Sequence, residues 1–185
     1  SLLSQNGYFV FLPDLRYKRN EVGKFIVDDL RLLINQAKNN ESSISVDRVG
    51  IMGHSFGGYQ VMYIVGQTNF FKGAVAGAGV SDLYDFYYEE PNRGSLGYFT
   101  IENSQFQTDP PFQNKYFDLY NPIRFVDKIQ TPILMWSGEN DYRIRKEHSK
   151  KMYLALWRQK KNAELIIYKN EAHVLNKPEN QKDLS

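Results

Sequence analysis

Cysteine is absent from this chain, which excludes disulfides, thiolate zinc sites and a cysteine nucleophile while leaving the compartment open. Long apolar runs are missing as well. No stretch approaches the roughly 20 residues needed to cross a bilayer, and the N-terminus lacks a basic-then-apolar signal segment, so no membrane span is expected. Neither sign of charge is in excess. The formal net charge is +2 with both signs well mixed, which implies neither a nucleic-acid-binding face nor an acidic tail. Metal-binding patterns are wanting too: there is no H-E-x-x-H and no clustered set of carboxylates. Gly77-Ala78-Gly79 lacks the third glycine and the following helix of a dinucleotide site and reads as close packing at a strand end. No metal and no cofactor is therefore expected. Histidine is scarce, at three residues, whereas aromatics are plentiful, with 13 Tyr and 12 Phe among 185 residues. That length suits one domain with an ample core.

Short apolar runs alternate with helical patterns along the chain. Tyr8-Phe9-Val10-Phe11-Leu12 reads as the first strand, and Val22, Ile26, Leu30, Leu33, Ile34 and Ala37 then recur at helical spacing. Val49 to Met52 is the second strand, followed by a helix from about Gly57 to Gln67. Ala74-Val75-Ala76 is the third strand and Pro132 to Trp136 the fourth. A helix from about Lys146 to Gln159 precedes a fifth strand, Leu165 to Tyr168. Near-continuous apolar strands separated by helices predict a mostly parallel sheet with helices on both faces, an α/β fold. Residues 81 to about 130 break this rhythm with an aromatic-rich insertion, too long for an ordinary connection, that is expected to supply both pocket wall and packing. It holds Tyr84, Phe86, Tyr87, Tyr88, Tyr98, Phe99, Phe106, Phe112, Tyr116, Phe117 and Tyr120.

Gly53-His54-Ser55-Phe56-Gly57 follows the second strand and reads as G-x-S-x-G, a nucleophile elbow. From residue frequencies such a match arises by chance in about one chain in twenty of this length. Its place between a strand and a helix makes it specific. A serine hydroxyl becomes a useful nucleophile when it is exposed, held against a base and set beside donors for the developing oxyanion. Gly53 and Gly57 are expected to relieve the crowding of so sharp a turn, and the backbone N–H of Phe56 is the expected oxyanion donor. The base should follow the last strand, where His173 stands in Asn170-Glu171-Ala172-His173. His54 is read as a packing residue directed away from Ser55, and His148 as a solvated helix residue. The orienting acid should follow the fourth strand. Asp141 fits that loop, with Glu139 as the fallback, and Gly138 is expected to permit the turn. The order Ser, Asp, His is that of α/β-hydrolases.

These residues carry a family resemblance. Gly53 to Tyr59, Ala76-Gly77-Ala78-Gly79-Val80-Ser81, Gly138-Glu139-Asn140-Asp141-Tyr142-Arg143-Ile144 and Glu171-Ala172-His173 resemble the C-terminal α/β-hydrolase domain of prolyl oligopeptidase-family serine peptidases. The resemblance runs from about Gly7 to Leu175 and includes the strand and turn ending at Arg16. It implies that Ser55, Asp141 and His173 form a catalytic triad that cleaves short peptides. It also implies that Tyr59 and some of Tyr84, Phe86, Tyr87 and Tyr88 border the substrate pocket. Glu89 and Glu90 are read as surface acids. The glycine-rich loop that gives the family its second oxyanion donor, the strand leading into it and the N-terminal β-propeller are not in this sequence. On that ground residues 1–185 are expected to be a partial α/β-hydrolase domain lacking the N-terminal strands. It would be a piece of a larger polypeptide, or a chain that repairs the gap by direct pairing or as a homo-oligomer. Hydrolysis by the 185 residues alone is expected to be weak or nil. An α/β-hydrolase esterase, for example a carbohydrate deacylase, and a non-catalytic α/β-hydrolase-like module are the alternatives.

Overall fold

The computed structural model describes residues 2–15, 18–90, 96–114 and 117–184. Arg16 and Tyr116, both singled out in the sequence, lie outside the described residues. The elements run α1 (Leu2–Gln5), α2 (Ile26–Asn40), β1 (Gly50–His54), α3 (Phe56–Val65), β2 (Gly73–Gly77), α4 (Leu83–Tyr88) and α5 (Gly97–Asn103). Two 3₁₀ turns follow, Phe117–Tyr120 and Pro122–Lys128, and then β3 (Ile133–Gly138), α6 (Lys146–Arg158), β4 (Ala163–Tyr168) and α7 (Pro178–Leu184). The four strands form one parallel sheet in the order β1-β2-β3-β4. None of the helices among the described residues is long and apolar enough to cross a membrane.

Period-two alternation within the strands sorts the side chains between two faces. In register, Ile51 lies beside Ala74, Ala74 beside Ile133 and Ile133 beside Ala163. This row buries itself against Val61, Met62 and Val65 of α3 and Met152 and Leu156 of α6. In α2, Ile26, Leu30 and Ile34 recur every fourth residue, so one stripe faces inward and meets Tyr59, Tyr63 and Ile64 of α3. Asp28 and Asp29 in its first turn and Lys38 in its last suit the helix dipole. The other face of the sheet is covered unevenly. Trp136, Tyr168 and Leu175 cluster there with Leu184 of α7 beside them, whereas Met52 is exposed.

One expected strand does not form. Residues 8–12 make no ladder, and Tyr8, Phe9, Val10, Phe11 and Leu12 are all exposed, Leu12 at 88%. A strand is held by hydrogen bonds to a neighbour, and among the described residues β1 pairs with β2 alone. The apolar run therefore has the composition of a strand without a ladder to join.

The aromatic insertion is built from α4, α5 and the 3₁₀ turns. Asp82 caps α4 by accepting the Tyr84 amide at 3.0 Å. Asn121 Oδ1 accepts the Leu83 amide at 3.0 Å, and Ser81 Oγ donates to the His148 carbonyl at 2.8 Å. The Ser81 bond holds the start of the insertion against α6, and the Asn121 bond ties it to the later part of the insertion. Phe86, Phe106, Phe117 and Tyr120 are buried and join the core, while Tyr88, Tyr98, Phe99 and Phe112 remain exposed.

Candidate active site

Ser55 sits between β1 and α3 with φ 60° and ψ −119°. Positive φ is costly for a residue with a Cβ and persists where the surroundings over-determine it. Here the Ser55 amide donates to the Gly77 carbonyl at 2.8 Å, and its own carbonyl accepts the Tyr59 amide at 3.0 Å, starting α3. A Cβ at residue 53 would come within 2.4 Å of the Gly57 carbonyl oxygen. Gly57 itself is not crowded, since a Cβ there would meet nothing within 4 Å. The second small residue the elbow needs is Gly58, where a Cβ would stand 2.4 Å from the Gly77 carbonyl. The expectation for Gly57 is corrected accordingly: the crowding falls where α3 crosses the end of β2. Phe56 is the first residue of α3, and amides at a helix N-terminus are the usual backbone donors to an anion.

Two loops meet this elbow. His173 Nε2 lies 2.8 Å from Ser55 Oγ, and His173 Nδ1 lies 2.8 Å from Asp141 Oδ2. Asp141 is 4% exposed, and its other oxygen accepts the amides of Arg143 at 2.9 Å and Ile144 at 3.0 Å. Those bonds satisfy the buried carboxylate and aim Oδ2 at the imidazole. Glu139, the fallback acid, instead accepts the Asn170 amide at 3.2 Å. The loops carrying Asp141 and His173 are packed backbone to backbone. Asn140 N–H donates to the Glu171 carbonyl at 2.8 Å, and a Cβ at Gly138 would lie 2.1 Å from the Ala172 carbonyl. Gly138 is thus required for this close approach, where the sequence suggested only a turn.

Glu171 and His54 are residues whose part at this site the sequence reading missed. Glu171 is 2% exposed, and its carboxylate accepts the amides of Asn176 at 2.8 Å and Lys177 at 2.9 Å and the Asn180 side chain at 2.6 Å. The Asn176 amide foremost holds its pKa below the usual glutamate range. An acid two residues before the histidine, followed closely by Asn176 and Asn180, was the available signal. The second is His54. Its ring packs, stacking on Trp136 with centroids 5.3 Å apart, but its Nε2 is also 2.6 Å from the His173 carbonyl and it lies 4.7 Å from the His173 ring.

His148 is also corrected. It is 2% exposed, its ring edge meets Phe86 at 6.0 Å, and its Nε2 is 3.3 Å from Glu89 Oε1. Glu89 also faces Arg145 at 4.0 Å and so joins a partly buried cluster, while Glu90 stays at the surface. Among the expected pocket residues, Tyr59 and Phe86 are each 1% exposed. Tyr59 Oη donates to the Tyr120 carbonyl at 2.8 Å, and both side chains lie beneath the surface. The bulk of α3 and the insertion closes over them. Tyr84 and Tyr87 are partly exposed and Tyr88 fully so, with Tyr87 Oη donating to Glu102 at 2.7 Å. Phe56 stacks on Tyr59 at 5.6 Å and meets the edge of Phe106 at 4.9 Å, which ties the elbow to the insertion.

A serine on a strained strand-to-helix turn, at the carboxyl end of a parallel sheet and joined through an imidazole to a buried carboxylate, places this molecule among the α/β-hydrolases. Within that class the chain belongs to the prolyl oligopeptidase family of serine peptidases, whose sequence model matches residues 1–185. It is similar to the peptidase YuxL of Bacillus subtilis, 28% identical over 163 residues that cover 86% of this chain and 23% of that protein. It is likewise similar to dipeptidyl-peptidase 5 of Porphyromonas endodontalis, 27% identical over 194 residues, covering 97% of this chain and 27% of that one. The solved acylaminoacyl peptidase of Pyrococcus horikoshii shares the fold with a TM-score of 0.75 at 22% identity, over 84% of this chain and 24% of that chain. The chain spans about a quarter of the length of the curated relatives it matches.

Proposed function

We propose that this chain carries the catalytic centre of a serine peptidase that cleaves peptide bonds in short peptides through an acyl-enzyme. The observation that carries the reading is the pair of 2.8 Å contacts linking Ser55 Oγ to His173 and His173 to Asp141. Ser55 Oγ attacks the scissile carbonyl carbon while His173 Nε2 takes its proton. The oxygen of that carbonyl becomes an oxyanion beside the N–H of Phe56. His173 then returns the proton to the departing amine, and water, activated by the same imidazole, releases the acyl group. Asp141 holds the proton of His173 on Nδ1 and stabilises the imidazolium. One oxyanion donor of this kind is worth about 10²–10³ in rate.

In this reading the peptide is short and is bound near its amino end, as the names of the dipeptidyl and acylaminoacyl peptidase relatives suggest. The exposed aromatic rings of the insertion, Tyr88 foremost, are candidates to border the pocket together with Tyr84 and Tyr87. Residues 1–185 act as the catalytic portion of a longer polypeptide, in keeping with the quarter of the relatives' length that they span. The test is turnover of dipeptidyl- and acylaminoacyl-anilides against p-nitrophenyl acetate, using the full-length protein and its Ser55→Ala variant. Anilide hydrolysis lost in the variant supports the peptidase. Ester turnover without anilide turnover would replace it with an esterase, and neither activity would favour a non-catalytic module.

A further inference from the structure

His54 and Trp136 stand in one register row, on β1 and β3, with Gly77 of β2 between them. Strands two apart in a sheet are separated by nearly 10 Å, too far for a direct stack of upright side chains. Gly77 removes the obstacle. A Cβ there would lie 2.2 Å from the Trp136 ring, so the indole lies across the empty position and reaches His54, with the two rings only 8° from parallel. Stacked in this way, the His54 ring points Nε2 at the carbonyl of His173, 2.6 Å away. A carbonyl accepts only, so the His54 proton is on Nε2.

We infer that His54 is a positioning residue, which holds the main chain of His173 and thereby locks the loop carrying the base onto the elbow carrying the nucleophile. The inference rests on the peptidase reading for its catalytic consequence and on geometry alone for its structural one. The contact is made to the backbone of His173 itself, by the residue that immediately precedes Ser55. One side chain therefore couples the two loops through its bond to the His173 main chain, with the two imidazole rings 4.7 Å apart. Glu171 anchors the same loop from its far side, through Asn176, Lys177 and Asn180. His54 acts from the elbow side. Desolvation lowers the His54 pKa below the usual imidazole range, against the opposing pull of its bond to the His173 carbonyl.

Two variants of the full-length protein separate positioning from packing. His54→Phe keeps an aromatic ring over Trp136 and loses the N–H, whereas His54→Gln loses the ring and keeps a donor. Misplacing a reacting group by about 1 Å costs on the order of 10²-fold in rate. The expected result for His54→Phe is a fall in kcat of about that size with KM little changed. His54→Gln should recover a substantial part of it, although its thermal midpoint falls at least as far. Hydrogen exchange across residues 170–176 should quicken in the phenylalanine variant and be restored in the glutamine one. Wild-type kcat and exchange in His54→Phe, or a larger loss in His54→Gln than in His54→Phe, would overturn the inference. Should wild type and Ser55→Ala prove equally inactive, the peptidase reading fails, and the exchange data still decide whether His54 holds the loop.

Discussion

At Ser55 the backbone adopts a conformation that few residues with a side chain tolerate, and the neighbouring glycines show why it survives. The crowded positions are 53 and 58, where an added methyl would meet main-chain atoms that cannot rotate away, while position 57 opens onto free space. Gly58→Ala should therefore lower stability by about 1–3 kcal/mol through overpacking. Gly57→Ala should leave it unchanged or slightly raised, since alanine is the better helix former. Urea denaturation of the two variants checks this, and equal losses at both positions would contradict the account. The G-x-S-x-G spacing made Ser55 legible, and the fold's chain order made His173 and Asp141 legible. The part played by Gly58 was not, because its crowding comes from the Gly77 carbonyl of another strand. His54 escaped for a related reason: its contact with Trp136 depends on the register of three strands, which no local pattern encodes.

Elements hold the site in place through a few polar ties, and Asp82 is the densest of them. It caps α4, accepts from Asn121 at 3.1 Å, and receives Lys151 of α6 at 2.5 Å, which also reaches Asp85. Burial pushes the Asp82 carboxyl up, but the bonds from Lys151 and Asn121 outweigh it and leave the pKa below the usual aspartate range. A carboxylate whose folded pKa is depressed stabilises the fold above its unfolded pKa and ceases to do so as pH falls through the folded value. The insertion should accordingly loosen only at pH below the ordinary aspartate range of about 3.9, seen as new acid-protease cleavage within residues 81–130. Asp82→Ala should bring that cleavage to higher pH and cost about 1–3 kcal/mol. Unaltered cleavage would show that the insertion is held by its buried rings alone. Strands β1 to β4 and the long helices were readable from apolar periodicity. The insertion's short helices were not, because its aromatics follow no clear period: they are divided between core and surface by contacts across 30 residues and more, such as Asn121 with Asp82.

Among the described residues, one sheet face is well covered and one unevenly so, with β1 at an open edge. Tyr8, Phe9, Val10, Phe11 and Leu12 are exposed near the start of the described chain, and Met52 is exposed on β1. Apolar area of this kind is worth about 25 cal/mol per Å² when buried, and an open strand edge is a template for pairing. The 185 residues on their own should bind a hydrophobic dye and self-associate, with Phe9→Ser and Phe11→Ser together reducing both. A monomer that binds no dye would contradict this. The apolar character of residues 8–12 was legible in the sequence; their want of a ladder was not, since pairing depends on which strand lies beside β1. The central claim concerns acyl transfer at Ser55, and peptide mass spectrometry of the full-length protein after fluorophosphonate treatment tests it most directly. The account predicts one phosphonyl adduct, on Ser55, that disappears when the protein is denatured first. A protein that hydrolyses peptidyl anilides while Ser55 stays unmodified would contradict it.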